Sequence, residues 1–479
     1  MLDKTIEIMK KDFKNSPDII FRKVRVKKSE ILLVYNVTLT NSSNINEFIL
    51  EKLTTLKKKI TRKSIYNHLS NIIPENVIQD VKDKNDLYTK IGSGFTVFIF
   101  EKGKPFAVET RADLSRGINE PLTEQSISGP KDAFTENYQT NIGLIRKRIK
   151  TNNLVLEEKT IGKQSKTRVG IFYLDNIIEP KLLDELKRRL DAIDIDAILD
   201  STYIKEVLEK KQSAFPTIIS TERPDTAAIS LLEGRICIMV ENSPYVLVIP
   251  TFFSDLFHAV EDNYQNYMNV TFTRIIRYAA FLLAILLPAF HVAITTYDHE
   301  AIPVTLLANF AAQREGVPFP LIAEALGLTL VFEILRESDI RMPHLSGTAI
   351  SILGAIVLGD AAVAAGIVSP IMVIVIALSA IASLMFSNIG MVNAIRFWRI
   401  VFMLFAALSG IVGIFFASII LITHLSTLKS VSKPYLYPLI PLNKKFLKQV
   451  LTKNSIFKEN KRMPILTDNN YTRSNLWKE

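Results

Sequence analysis

The sequence holds one cysteine and six histidines in 479 residues, and each scarcity excludes a class of chemistry. With Cys237 alone there is neither an intrachain disulfide nor a thiolate metal cluster. Its place in an apolar alternating run marks a buried structural thiol. The histidines, His68, His258, His291, His299, His344 and His424, show neither metal spacing nor triad partners. Gly92-Ser-Gly94 precedes a strand instead of opening a helix, and the run Gly162 to Thr167 lacks phosphate-loop spacing. Asp191, Asp194, Asp196 and Asp200 lack the central Gly and terminal Glu of a calcium loop, so they belong to a solvated helix connection. The sequence therefore implies no enzyme, no metal and no cofactor. The N-terminus has no apolar core that would serve as a signal peptide, and the soluble part is expected to stay cytoplasmic.

What the chain does have is segregated. Overall it is basic, at +10, with 22% charged residues and a mean hydropathy of +0.20, high for a soluble protein. The charge lies before Arg274 and after Leu425; between them the chain is mostly apolar. The expected organisation is a basic arm (1–30), an α/β subdomain with a linker helix (31–150), a second α/β subdomain (151–270), an all-α multi-pass membrane domain (271–425) and a basic tail (426–479). Eleven Lys or Arg against three acidic residues follow Leu425. Beside a membrane, such a tail points to anionic lipid headgroups; no basic motif interleaved with aromatics supports nucleic acid.

In the soluble half, Ile31 to Leu39 reads as a strand, followed by a helix from Ile45, and Gly94 to Glu109 as a hairpin. The pattern returns in Val169 to Ile178, a helix over Glu179 to Leu190, and a hairpin over Gly234 to Pro250. Two similar subdomains from a duplication are expected, although two hairpins of one pattern also arise independently. Thr135 to Lys150 is an amphipathic basic helix: a solvated face, or the joint between subdomains.

In the apolar half, Ile275 to Thr296, Ser346 to Gly366, Ile371 to Asn388 and Phe397 to Thr423 are expected spans, with Ile302 to Ala312 too short to cross. Pro318 to Glu337 is about 20 residues, near the span length, yet carries Glu324 and Glu333 on opposite helix faces. It is either wrapped by protein or water on those faces, or lies in the interface with both carboxylates snorkelling. Five spans would put the basic tail opposite the soluble half, against the tail's own charge and the positive-inside rule, and hydropathy alone does not resolve the conflict.

Within Ser346 to Gly366, the residues Gly347, Ser351, Ala355 and Gly359 form a ridge of small side chains for close helix packing, either between identical subunits or against the chain's own helices. Asp360 and Val363 lie about a turn apart on one side. A carboxylate inside a span should face a polar pathway, a cationic partner or protein.

The runs REGVPFP (from Arg314), EALGLTLVFEILRE and GDAAVAAGIVSPIMVIVIALSAIAS resemble the GerA family of spore germination proteins, specifically the A-type subunit of nutrient germinant receptors. So do Glu120 to Ile149, Thr221 to Asp225 and Leu231 to Phe253. The resemblance spans roughly Asp113 to Thr423. It implies a subunit of the spore inner membrane beside a permease-like B subunit and a lipoprotein C subunit, assembling as a homo-oligomeric ring around a nutrient-gated cation path. Two other readings fit the same motifs: a germination ion channel that is not itself a receptor, and a non-conducting scaffold for receptor clustering.

Overall fold

The computed structural model describes residues 2–26, 29–54, 62–70, 78–101, 103–112, 120–121, 123–209, 213–341, 359–455, 461–468 and 470–473. Its soluble half contains two five-stranded antiparallel sheets. The first has β1 (Ile19–Val26), β2 (Ser29–Asn36), β3 (Ile78–Asp80), β4 (Phe95–Phe100) and β5 (Phe106–Glu109) in the order β1-β2-β4-β5-β3. The second has β6 (Leu154–Ile161), β7 (Thr167–Leu174), β8 (Ile219–Thr221), β9 (Ile236–Val240) and β10 (Val246–Ile249) in the order β6-β7-β9-β10-β8. The orders are the same, element for element. Each sheet opens with an eight-residue hairpin pairing, Ile19↔Asn36 to Val26↔Ser29 and Leu154↔Leu174 to Ile161↔Thr167. β9 and β10 are buried throughout, so both their faces are apolar instead of alternating.

Residues 1–30, expected to be a basic arm, instead carry the helix α1 (Leu2–Asp12) and β1. Leu2, Met9 and Phe13 are buried with β2 and β4 residues in the first core, so the charge of this stretch sits on the outer face of a folded element.

The linker helix α2 (Tyr138–Arg148) is capped by the Asn137 side chain, which accepts the Thr140 N–H. Arg146 on α2 is buried; its Nε and Nη2 donate to Asp18, at the approach to β1, at 2.8 and 2.9 Å, and its Nη1 donates to the Leu154 carbonyl of β6. One guanidinium therefore bonds both sheets, and α2 is a joint between them.

The helical half begins with α5 (Tyr267–Thr296), after α3 (Pro180–Asp191) and α4 (Pro224–Glu233) of the second subdomain. It continues with a short exposed helix Val304–Gln313, then α6 (Leu321–Arg341), α7 (Pro370–Ser383) and α8 (Ile389–Thr427). Among the described residues, α5 and α8 are long and apolar enough to cross a membrane by length and composition.

α8 is not the single long helix that its hydropathy suggests. A straight helix would hold Trp398 and His424 about 39 Å apart, yet their rings lie 5.8 Å apart. The chain turns back at Ser409 and Gly410, whose backbone is non-helical, with Gly410 at φ 61, ψ −140. This is a region that glycine alone enters readily. Two antiparallel arms result, so close that a Cβ on Gly413 would fall 1.9 Å from the Phe405 carbonyl oxygen. Asp298, just past α5, accepts the Ile411 N–H at 2.8 Å, and the Tyr297 hydroxyl donates to the Ala407 carbonyl. The far end of α5 thus clasps the turn of the hairpin.

Folding back returns the tail to the soluble half. Val431 joins the core of the second sheet, the Ser430 hydroxyl donates to Thr217 and accepts from the Thr251 N–H, and Thr467 bridges to Ile178. The helix α9 (Lys444–Leu451) then lies against α5.

Candidate functional site: a polar chain from the soluble half into the helical bundle

Two stretches about one hundred residues apart interlock in the soluble half. The Glu124 carboxylate accepts the Thr221 hydroxyl (2.5 Å) and the Glu222 N–H (3.1 Å), while Glu222 accepts the N–H and hydroxyl of Thr123 and the Glu124 N–H. Each glutamate caps the backbone of the other. Arg223, fully buried, secures the crossing: it donates to the Glu124 and Pro130 carbonyls, the Ser126 hydroxyl and Asp225. Burial pushes the Glu124 carboxyl up to about 7, with hydrogen bonds from Thr221 and Glu222 pulling the other way.

From this knot, contacts continue to the start of the helical half. The Tyr264 hydroxyl donates to Asp225 at 2.6 Å and the Ile127 N–H to Glu261 at 2.8 Å. Two residues before Tyr264, buried Asp262 pairs with both Arg274 and Arg277 in the early turns of α5, at 2.9 and 3.0 Å. A cavity of about 690 Å³ opens here, lined by Glu124, Thr226, Asp262, Tyr264, Arg274 and Val450 among others.

Inside the bundle, Pro288 removes the N–H that the Ala284 carbonyl would otherwise accept. The freed oxygen accepts the Ser379 hydroxyl (2.8 Å) and Arg399 Nε (2.9 Å), joining α5, α7 and α8 at one buried point. The two acidic residues of α6 are both engaged, in different ways. Glu324 is buried and accepts the N–H and hydroxyl of Ser369, each at 2.9 Å, with Arg314 at 3.6 Å. Ser369 is the residue from which α7 starts, so Glu324 sets where α7 begins. Glu333, on the other side, pairs with Arg336 and with Arg396 of α8, at 3.0 and 2.9 Å.

Gly347, Ser351 and Ala355 lie outside the described residues. Gly359, at the end of that ridge, has no described neighbour within 4 Å of where a Cβ would stand. Asp360 is exposed and Val363 half-buried on one helical segment, described from residue 359, which ends as the Gly366 N–H donates to the Val363 carbonyl. The structure brings Glu324 to within a few residues of this segment through Ser369, while Glu333 sits apart with the α8 arginines. Among the described residues, no group of three or more His, Cys, Asp or Glu has the placement to hold a metal ion. Spacing placed the two glutamates on opposite faces. Their partners, Ser369 and Arg396, are 45 and 63 residues downstream and carried no local signal; Pro288 in an apolar span was the one legible hint of the Ala284 node.

A sheet-rich soluble half, coupled by buried ion pairs to an apolar helical bundle with charged groups inside, defines a class of membrane-associated protein with no evident catalytic centre among its described residues. The chain belongs to the GerA family, Bacillus/Clostridium GerA spore germination protein, which it matches over residues 7–465. It is 38% identical over 456 residues to spore germination protein KA of Bacillus subtilis (strain 168), covering 94% of this chain and 84% of that protein. It is 34% identical over 442 residues to spore germination protein GerLA of Bacillus cereus, covering 91% and 90%. Among solved structures, it is similar to the N-terminal domain of the A subunit of the Bacillus megaterium spore germinant receptor GerK3, with a TM-score of 0.42 and 30% sequence identity, covering 53% of this chain and 96% of that one.

Proposed function

We propose that this chain is the A-type subunit of a spore nutrient germinant receptor, and that it works in the spore inner membrane beside a permease-like B subunit and a lipoprotein C subunit. The observation that carries the reading is the family match over nearly the whole chain. In this reading the bundle crosses the membrane six times: α5 outward, α6 back, the span expected over 346–366 outward, α7 back, and the two arms of α8 outward and back. An even count puts the tail with the soluble half, and Arg274, Arg277, Arg336, Arg341, Arg396 and Arg399 then cluster toward that side, which the positive-inside rule assigns to the spore core.

Copies of the chain assemble into a ring in which the 346–366 segment lines a cation path, with Asp360 drawing cations and Val363 contributing the dry constriction. Supporting this is the exposure of Asp360 in one chain and the open space at Gly359; a carboxylate at this depth needs a polar pathway or protein around it. The test is cation efflux from spores and from liposomes holding the purified complex. Val363→Ala should leak without nutrient and Asp360→Asn should conduct less; efflux like the wild type in both variants would reduce this segment to packing.

A further inference from the structure

The basic surplus of the tail is not spread evenly, and the structure separates lysines used for folding from lysines left for something else. Lys433 pairs with Glu179, Lys453 reaches the Asp262 carbonyl, and Arg462 donates to the Leu232, Asn470 and Thr472 carbonyls. Lys444, Lys445 and Lys448, all exposed on α9, join no ion pair among the described residues. They occupy one side of the helix, while Phe446 and Val450, four apart, are buried on the other.

α9 is held at a fixed height along α5. Arg274 Nη1 donates to the Gln449 carbonyl at 3.3 Å, and the Lys453 N–H donates to the Thr271 hydroxyl at 3.2 Å. The neighbouring surface turns apolar: Leu442 is 60% and Leu451 40% exposed on the tail, and Phe272 is 66% exposed on α5. Lysines with apolar neighbours, fixed against the first turns of a membrane-crossing helix, have the chemistry of an interfacial element: the apolar groups dip below the headgroups and the ammonium groups stay at their level.

We infer that α9 and the turn before it form a lipid-binding collar in which Lys444, Lys445 and Lys448 engage anionic headgroups at the core-side surface of the bilayer. The inference rests on the membrane-embedded part of the functional reading and is independent of ion conduction. An acidic protein surface would satisfy the lysines equally. The bilayer is favoured because exposed apolar side chains accompany the lysines on both elements, Leu442 and Leu451 on the tail and Phe272 and Ile275 in the early turns of α5. The collar gives the soluble half a second attachment besides the Asp262 ion pairs, sensitive to the charge of the lipid.

The test uses the full chain in nanodiscs of phosphatidylcholine alone and of phosphatidylcholine mixed with phosphatidylglycerol, with amide hydrogen exchange followed over 436–452. Exchange should slow in the anionic discs, by about fivefold for each engaged lysine at low salt. The slowing should disappear in high salt and in the triple variant Lys444→Gln, Lys445→Gln, Lys448→Gln. Protection of the α5 amides around Thr271, unchanged in that variant, shows that the buried side of α9 remains docked. Equal exchange in the two lipids, or slowing that survives the triple variant, overturns the proposal. Slowing that follows protein concentration instead of lipid charge assigns the surface to a second copy and overturns it as well. A chain that leaves the membrane without detergent fails the functional reading first.

Discussion

The two halves of the molecule satisfy their buried arginines to different degrees. In the soluble half, Arg146 with Asp18, Arg223 with Asp225, and Arg235 with Asp255 are buried, and each guanidinium also reaches backbone carbonyls. In the helical half, Arg399 Nη1, Arg314 Nε and His291 Nε2 are buried without a hydrogen-bond partner, and Glu324 Oε1 has Arg314 at ion-pair distance but no hydrogen bond. An unpaired polar atom costs far more in an apolar interior than beside water. Among the described residues, the difference lies in the arginines: those buried in the soluble half have every buried nitrogen paired, although Tyr138 Oη, Thr226 Oγ1 and Ser254 Oγ there lack a partner, whereas Arg399 and Arg314 of the bundle each keep a nitrogen without one.

The largest effect should come from breaking the joint between the sheets. Removing one member of a buried ion pair leaves the other charge without a partner, at a cost of about 3–5 kcal/mol. Arg146→Ala should therefore unfold the soluble half well below the wild-type midpoint in urea, while Arg146→Met combined with Asp18→Asn should recover much of the loss. A midpoint for Arg146→Ala within error of wild type would show that α2 is not the joint.

Next is the hairpin in α8. With Cys237 replaced by Ser, cysteines at positions 398 and 424 should be joined by a short bifunctional thiol reagent, because the native rings are 5.8 Å apart; a single straight helix would forbid it. Gly413→Leu should abolish that cross-link, since any side chain there collides with the Phe405 carbonyl, and overpacking costs about 1–3 kcal/mol or more.

The two glutamates of α6 sharpen the comparison inside the bundle. Glu324→Gln keeps one acceptor for Ser369 but loses charge-assisted bonds worth about 1.5–3 kcal/mol. Glu333→Gln loses the charge of pairs whose carboxylate side chain is 17% exposed, against 0% for Glu324, so the loss is better screened. Germination and detergent stability should suffer more at position 324, and Ser369→Ala should reproduce a fraction of that defect. Equal and mild effects at both positions would return α6 to an interfacial role.

Much of this arrangement was legible. The hairpins at Gly94 to Glu109 and Gly234 to Pro250 formed as β4/β5 and β9/β10, because alternating or continuous apolar runs around a turn admit few other solutions. The edge strands β1 and β6 were not legible: Ile-Ile-Phe-Arg-Lys-Val-Arg-Val and Leu-Val-Leu-Glu-Glu-Lys-Thr-Ile carry the charge that protects an exposed edge, and charge masks the strand pattern. Hydropathy also fails where the chain folds back on itself, since two apolar arms sum to one long span. Ser409-Gly410 and Gly413 were the available signal, and their meaning depends on Asp298, over one hundred residues upstream. The partners of Glu324 and Glu333 are tertiary facts that spacing does not contain.

The smallest effect tests the soluble half at a carboxylate that burial holds against its charged form. Only part of Glu124 is buried, but its carboxylate end is enclosed by Thr221 and the Glu222 backbone, with the Glu222 carboxylate and Arg223 as its charged neighbours. Its folded value is raised from 4.5 to about 7, the reverse of the usual carboxylate. Between those values the folded chain binds the proton more than the unfolded chain, so stability falls as pH rises across this window and is flat above it. Gln accepts the same two bonds without a charge. Glu124→Gln should therefore melt like the wild type near the acidic limit and higher than it above the window, by about 1 kcal/mol once the partial exposure of the residue is discounted. Melting temperatures of both proteins across pH provide the measurement. A difference that does not change with pH would mean that Glu124 is charged throughout, and that the knot joining Thr123 to Arg223 is an ordinary set of charge-assisted caps.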